Sequence, residues 1–172
     1  MQMSAFYSFQ WAQARNEILI EPIIQYDDRE LFQGRLAIEE PFETKIGEGK
    51  ILYDIAHFED PFNFSISEKV HRLLKDAAAT GWESYKIVIK GVEKEYFGFI
   101  VTGKCGPLKR PATAGFVQGV EFDIETWDGS DFFCAEETFA VMCTERIANI
   151  LIKNKITNLK LGRNDNIEWY ST

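Results

Sequence analysis

The sequence predicts an α+β fold, with antiparallel β-sheet carrying two main amphipathic helices packed on it. Three observations support this. Two segments place apolar residues at the spacing of one helical face, each led by a hydroxyl residue and an acid that suit a helix start. Around them run short alternating or β-branched stretches, and the aromatic residues are mostly Phe, 14 against Trp 4 and Tyr 6, as pleated and half-buried surfaces favour. With 172 residues and 45% hydrophobic content, one domain over 1–172 is expected to bury on the order of 70% of its unfolded surface without a disulfide or metal staple.

In chain order, Ala5 to Trp11 alternates loosely and reads as a strand. Ile18 to Ile24 reads as a second, near an edge because Pro22 cannot donate to a ladder. Leu31 to Ile38, interrupted by Gly34, is expected as a weaker strand, and 39–49, with Pro41, Gly47 and Gly49 among acids, as a loop. Lys50 to Ala56 makes a firmer strand, and Pro61 ends the loop after it.

Ser67-Glu68-Lys69-Val70 opens the first helix, whose stripe is Val70, Leu73, Leu74, Ala77 and Ala78. Ser67 is placed to cap it, and Thr80-Gly81 to end it, with glycine in the left-handed position. Tyr85 to Ile89 and Glu95 to Thr102 form a hairpin around Gly91. Residues 103–115 read as a loop. Gly103-Lys104-Cys105-Gly106 lacks the order of a phosphate-binding loop, because the Lys precedes the second Gly and Pro107 follows.

Phe116 to Ile124 is expected as a strand whose period of two puts Glu121, Asp123 and Glu125 on one face, with Phe122 and Ile124 on the other. Trp127 to Asp131 turns at Asp128-Gly129. Phe139 to Met142 is a short strand. Thr144-Glu145-Arg146-Ile147 then opens the second helix, with Ile147, Ile150 and Leu151 on one face and Thr157-Asn158 closing it. Asn166 to Tyr170 adds a last edge strand. A shift of 77 residues lays Ser67 to Val70 on Thr144 to Ile147, Leu73-Leu74 on Ile150-Leu151 and Thr80-Gly81-Trp82 on Thr157-Asn158-Leu159. Two loosely similar halves follow, about 50–102 and 116–170.

The net charge of −8 is unevenly placed. Residues 21–68 hold 12 acids and 4 bases, 69–120 hold 4 and 9, 121–137 hold 7 acids and no base, and 138–172 hold 3 and 5. An acidic total without a basic stripe argues against nucleic acid and for a partner with a basic surface. No apolar run is long enough to span a bilayer, and Met1 to Ile20 has no continuous apolar core, so neither a membrane segment nor a signal peptide is expected. Cys105, Cys134 and Cys143 show no C-x-x-C pair, which favours reduced thiols in the cytoplasm over a disulfide framework or zinc site.

Catalytic constellations are sparse. His71 lies beside a buried helical stripe, and His57 follows a strand near Glu59 and Asp60 without a nucleophile elbow, zinc spacing or glycine fingerprint. The acidic run lacks the order of a calcium loop, since Trp127 and Asp128 stand at its third-ligand and glycine positions. No enzyme activity and no cofactor are expected.

Phe64 to Ile89 carries Ile66-Ser67-Glu68-Lys69-Val70, the Leu73-Leu74 stripe, Thr80-Gly81 and a strand ending Ile89-Lys90-Gly91. Trp127 to Lys160 carries Gly129-Ser130-Asp131-Phe132-Phe133, Thr144-Glu145-Arg146-Ile147 and Ile156-Thr157-Asn158-Leu159. Together these segments resemble a group of bacterial immunity proteins from polymorphic-toxin systems. The resemblance implies a protein that binds and neutralises a cognate toxin, and it brings no catalytic residues. The expected contact surface is Glu121, Asp123 and Glu125 with Asp128 and Asp131, and Trp127 as an aromatic anchor. The alternative is a small-molecule or peptide binding module of the bacterial cytoplasm, or a weak enzyme, using a pocket between sheet and helix near His57.

Overall fold

Alternating burial along the strands and two amphipathic helices, the first capped by Ser67, place the chain in the α+β class, with 17% helix and 39% strand. The computed structural model describes residues 5–172, so the first four residues of the expected N-terminal reading lie outside the described residues. The first part of the chain comprises β1 (Phe6–Trp11), β2 (Leu19–Pro22), α1 (Asp28–Phe32), β3 (Phe42–Glu48), β4 (Ile55–His57), β5 (Phe64–Ser67), α2 (Glu68–Asp76) and β6 (Trp82–Ile89). The second comprises β7 (Tyr96–Val101), β8 (Lys104–Cys105), β9 (Gly115–Gln118), β10 (Phe132–Ala135), β11 (Val141–Thr144), α3 (Glu145–Lys153), β12 (Leu159–Arg163) and β13 (Glu168–Ser171). Single 3-10 turns at Ile124–Thr126 and Asn164–Asn166 interrupt it.

A six-stranded sheet runs β2-β3-β6-β7-β5-β4, a five-stranded sheet runs β12-β1-β11-β10-β8, and β9 pairs with β13 as a separate ribbon. All neighbours are antiparallel except β3 with β6 and β8 with β10. Ile20 of β2 also bridges Phe58, just past β4, and Glu59 N–H donates to Ile20 O at 3.0 Å, so the two ends of the larger sheet meet.

Several expectations change. Lys50 to Ala56 is strand only from Ile55 onward. Leu31 to Ile38 is not a strand: Asp27 accepts from Arg29 N–H and Glu30 N–H, both at 3.0 Å, and this cap starts α1 in the same place. Residues 39–49 are not a loop, because β3 fills the gap between β2 and β6 and sends only Phe42 and Thr44 inward. Helix α2 stops at Asp76, and the left-handed residue after it is Ala78, with φ 49°, ahead of Gly81.

The offset of 77 residues seen in the sequence extends through the fold. It carries β5 onto β11 and α2 onto α3 with identical bounds, and it maps the pairing of Ile55 with Ile66 onto that of Phe132 with Cys143. The left-handed Ala78 (φ 49°) corresponds to Lys155 (φ 51°), and Gly81 (φ 80°) to Asn158 (φ 58°). The remaining strands correspond across the sheets. β7 lies between β5 and β6, and β1 lies between β11 and β12. Glu136 N–H donates to Cys105 O as Glu59 N–H does to Ile20 O, which matches β8 with β2. Each half therefore reads strand, strand, insertion, two strands, helix, strand, and each lends its first strand to the other half's sheet.

Contacts between the halves are reciprocal, the signature of a two-fold arrangement. Thr80 N–H donates to Asp131 at 3.0 Å, and Thr157 N–H donates to Asp54 at 2.9 Å. Arg146 donates to Ala77 O and Lys69 to Asn154 O, both at 2.8 Å, so each helix start reaches the end of the other helix. The main core lies where the halves meet, with Val70 and Leu74 of α2 and their counterparts Ile147 and Leu151 of α3 buried beside Phe9, Phe64, Phe99 and Phe132. A second core fills the concave side of the six-stranded sheet around Phe42, Phe58 and Tyr85, and a third lies under Trp127 around Phe6, Phe122 and Phe133.

Candidate functional site

The acidic segment is built in two different ways along its length. Its first half is surface. Phe122 turns inward and bridges Leu108, while Lys109 N–H donates to Glu121 O at 2.8 Å. The expected strand then breaks: Asp123 accepts from Glu125 N–H at 3.1 Å and caps the 3-10 turn at Ile124–Thr126. Ile124 is 40% exposed instead of buried opposite the acids. The alternation seen in the sequence fails because the turn rotates the chain away from pleated geometry. Glu121, Asp123 and Glu125 all remain exposed, and among the described residues none of them forms an ion pair.

The second half is structural. Trp127 is half-buried, with its ring 5.1 Å from Phe6 and 5.7 Å from Phe133, and its indole N–H donates to Ser130 O at 3.1 Å. Asp128 accepts from Lys104 N–H at 2.8 Å and Ser130 N–H at 3.0 Å. Burial opposes its charge, but these bonds and that from the Ser130 hydroxyl outweigh it and hold the carboxyl below its usual range. Asp131 is buried. It accepts from Thr80 N–H, from the Thr144 hydroxyl at 2.9 Å and from Arg146, and Thr144 N–H donates to its carbonyl at 2.9 Å. Burial again raises its pKa, and the Arg146, Thr80 and Thr144 bonds more than reverse that. Of the six residues expected to meet a partner, Glu121, Asp123 and Glu125 form an exposed trio, Asp128 is exposed but holds Lys104 N–H and Ser130 N–H, and Trp127 and Asp131 are engaged within the fold.

Two aromatic residues outside the expected set stand exposed on the ribbon of β9 and β13. Phe116 is 88% exposed and Tyr170 58%; they pair across β9 and β13 with rings 5.3 Å apart. Val117 is less exposed, and Trp169 donates its indole N–H to Gly119 O, so the ribbon's other face is the one that turns inward. In the sequence, Phe116-Val117 offers two adjacent apolar residues and no way to tell which faces water.

His57 stacks flat on Trp11, with centroids 4.6 Å apart and planes within 6°. Its Nδ1 faces Phe58 O at 2.8 Å and its Nε2 faces Glu17 Oε1 at 3.1 Å. His71 stacks on Phe97 at 3.9 Å and meets Ser84 through Nε2; burial first, then Lys75, pushes its pKa down. All three cysteines are free, and burial pushes the Cys105 thiol up to about 11 and those of Cys134 and Cys143 up to about 12. Among the described residues, no group of three His, Cys, Asp or Glu side chains is placed to hold a metal ion, and no helix is long and apolar enough to cross a membrane.

Scans against protein-family models and curated proteins return no match for this chain.

Proposed function

We propose that this chain is an immunity protein that binds and neutralises a cognate bacterial toxin, using the exposed acids Glu121, Asp123 and Glu125 against a basic surface. The observation that carries this reading is the run of seven acids without a base over 121–137, in which these three carboxylates, like Glu136 and Glu137, are exposed and form no ion pair among the described residues. Unneutralised charge of one sign raises the encounter rate with an oppositely charged partner in a salt-dependent way. The sequence resemblance to immunity proteins supports the class of partner.

Co-expression with the product of a neighbouring toxin gene tests it. Growth is restored and the two proteins co-purify if the reading is right; failure of both sinks it. The triple reversal Glu121→Lys, Asp123→Lys and Glu125→Lys is expected to slow association by about tenfold or more at low salt and to flatten its salt dependence. An unchanged association rate would move the interface elsewhere.

A further inference from the structure

Equivalent positions in the two halves carry different side chains, and the clefts beside them differ. The first cleft, of about 230 Å³, lies where the halves meet, lined by Trp11, Gln13 and Pro61 together with Phe62, Phe64 and their counterparts Phe139 and Val141. The second, of about 430 Å³, is lined by Val101, Gly103 and Thr138. Trp11 and Val101 hold equivalent positions, because one pairs with Leu159 and the other with its counterpart Trp82. Gln13 and Gly103 stand two residues further along each chain segment, and Pro61 and Thr138 are related by the common offset. His57, on which Trp11 stacks, corresponds to Cys134, which lines the second cleft. In one half, then, an indole and an imidazole lie flat together. In the other, valine, a thiol and glycine leave the space open.

The open cleft has a defined chemistry. Phe32, Val101 and Ala135 make an apolar wall, and burial keeps the Cys134 thiol protonated, with its pKa up to about 12. Lys104 and Arg35 supply positive charge, and Glu136 and Glu137 supply negative charge. Arg35 is held by Glu30, whereas Lys104, Glu136 and Glu137 form no ion pair among the described residues. The volume lies in the range of small-molecule sites, which combine apolar walls with a few polar groups that fix orientation. A ligand complementary to this lining carries both charges and a flat apolar group of the size that Trp11 and His57 occupy in the other half.

We propose that the cleft of the second half binds a free aromatic α-amino acid, with its ring in the space that Trp11 and His57 fill in the first half, its carboxylate toward Lys104 and its ammonium toward Glu136 and Glu137. This site adjoins the acidic segment assigned to a protein partner, since Thr126 lines it and Glu136 and Glu137 end the same run of acids, but it does not use Glu121, Asp123 or Glu125.

Calorimetry with L-tryptophan, L-phenylalanine and L-tyrosine, alongside protein-observed NMR, tests it. At least one of the three is expected to bind, shifting the amide signals of Gly103 and Thr138, while indole and glycine alone bind about tenfold more weakly or worse. Lys104→Glu, at an exposed position, is expected to weaken binding about tenfold or more, and Val101→Trp, which places there the indole that the first half carries at Trp11, to abolish it. The proposal is overturned if none of the three binds at millimolar concentration, if the shifts map to Gln13 and Pro61 instead, or if affinity survives Lys104→Glu. Survival of affinity in a folded Val101→Trp variant overturns it too, and the Lys104→Glu result decides alone if that variant does not fold.

Discussion

Asp54 and Asp131 stand at the same place in the two halves, each just before the first strand of its β-β-α-β segment, and each receives the threonine that follows the other half's helix. Thr157 gives Asp54 its N–H at 2.9 Å and its hydroxyl at 3.0 Å, and Ser67 adds a hydroxyl at 2.8 Å. Thr80 and Thr144 serve Asp131 in the same way, but there Arg146 adds an ion pair. The counterpart of Arg146 is Lys69, which reaches Asn154 O and no carboxylate. A guanidinium can bridge a carboxylate and a carbonyl at once, whereas a lysine ammonium on one flexible stem serves here as a single donor. The hydrogen bonds that join the halves are therefore shared, and the charge that strengthens them is present on one side only.

The broadest way to break this comparison is to cut the chain in the turn at Gly91, between β6 and β7. Fragment 1–91 keeps β1, whose partners β11 and β12 are in the other piece, and fragment 92–172 keeps β7, whose partners β5 and β6 are lost. Each fragment alone is expected to be largely unfolded by circular dichroism, and mixing them to restore the native spectrum. A fragment that folds cooperatively by itself would show that the strand exchange is dispensable.

Next in size come the two carboxylates. Asp131→Ala leaves Thr80 N–H and the Thr144 hydroxyl without their acceptor and Arg146 without its partner, at a cost of about 2–4 kcal/mol; the half-exposed guanidinium keeps this below the penalty of a fully buried pair. Asp54→Ala is expected to cost about 1–2 kcal/mol, since no ion pair is lost. Equal losses in urea unfolding would mean that Arg146 contributes nothing beyond the shared bonds.

Glycine exchange offers a third contrast. Gly98 lies under the Tyr85 ring, and a Cβ there would stand 1.9 Å from it; the corresponding strand pair places Gly162 opposite Ser8, where a Cβ would meet a hydroxyl at 2.8 Å. Gly98→Ala is expected to cost about 1–3 kcal/mol through overpacking of the buried Tyr85, and Gly162→Ala under about 1 kcal/mol, because a serine side chain can rotate away. Thermal melts of the two variants rank them directly.

The pH dependence follows from the same asymmetry and is smaller. The folded-state pKa of Asp131 is lowered relative to the unfolded chain, so its contribution is fully present above the unfolded carboxylate value of about 4 and is lost as pH falls through the folded value. Asp131→Asn should lose part of the acid-side slope of stability, an effect visible in urea titrations at stepped pH. Smallest of all in stability is the charge reversal of Glu121 and Glu125, expected within about 0.5 kcal/mol of the parent because these side chains are exposed and unpaired. Asp123→Lys also removes the cap on Glu125 N–H and is expected to cost about 0.5–1 kcal/mol. A large loss would mean that the acidic segment belongs to the scaffold as Asp131 does.

Much of the scaffold is legible in the sequence because its signals are local. The stripes at Val70 and Leu74 and at Ile147 and Leu151 bury as their spacing predicts, and the shift of 77 residues aligns both helices without a gap. Asp27-Asp28-Arg29-Glu30 held a readable cap for α1, but the apolar residues after it suggested a strand. β3 was hidden because its residues after Thr44 face outward, leaving too few inward positions to show a period. Within the candidate site, the acids were visible as composition, but whether each one faces a partner or an internal donor was not. Glu125 and Asp131 look alike in the sequence; only the approach of Thr80 from the other half separates them.

By itself the sequence determined the α+β class, the position and starts of two helices, the offset between the halves and the uneven charge, all of which depend on residues within a few turns of one another or on composition. The tertiary structure alone decided that β1 and β7 change places, that Trp127 and Asp131 serve the core, that Phe116 and Tyr170 stand exposed, and that Trp11 stacks on His57 where the equivalent Val101 and Cys134 line an open cleft. Those outcomes rest on contacts between distant segments, from Thr80 with Asp131 to Phe6 with Thr144, whose free energy is realised only when the distant segments meet.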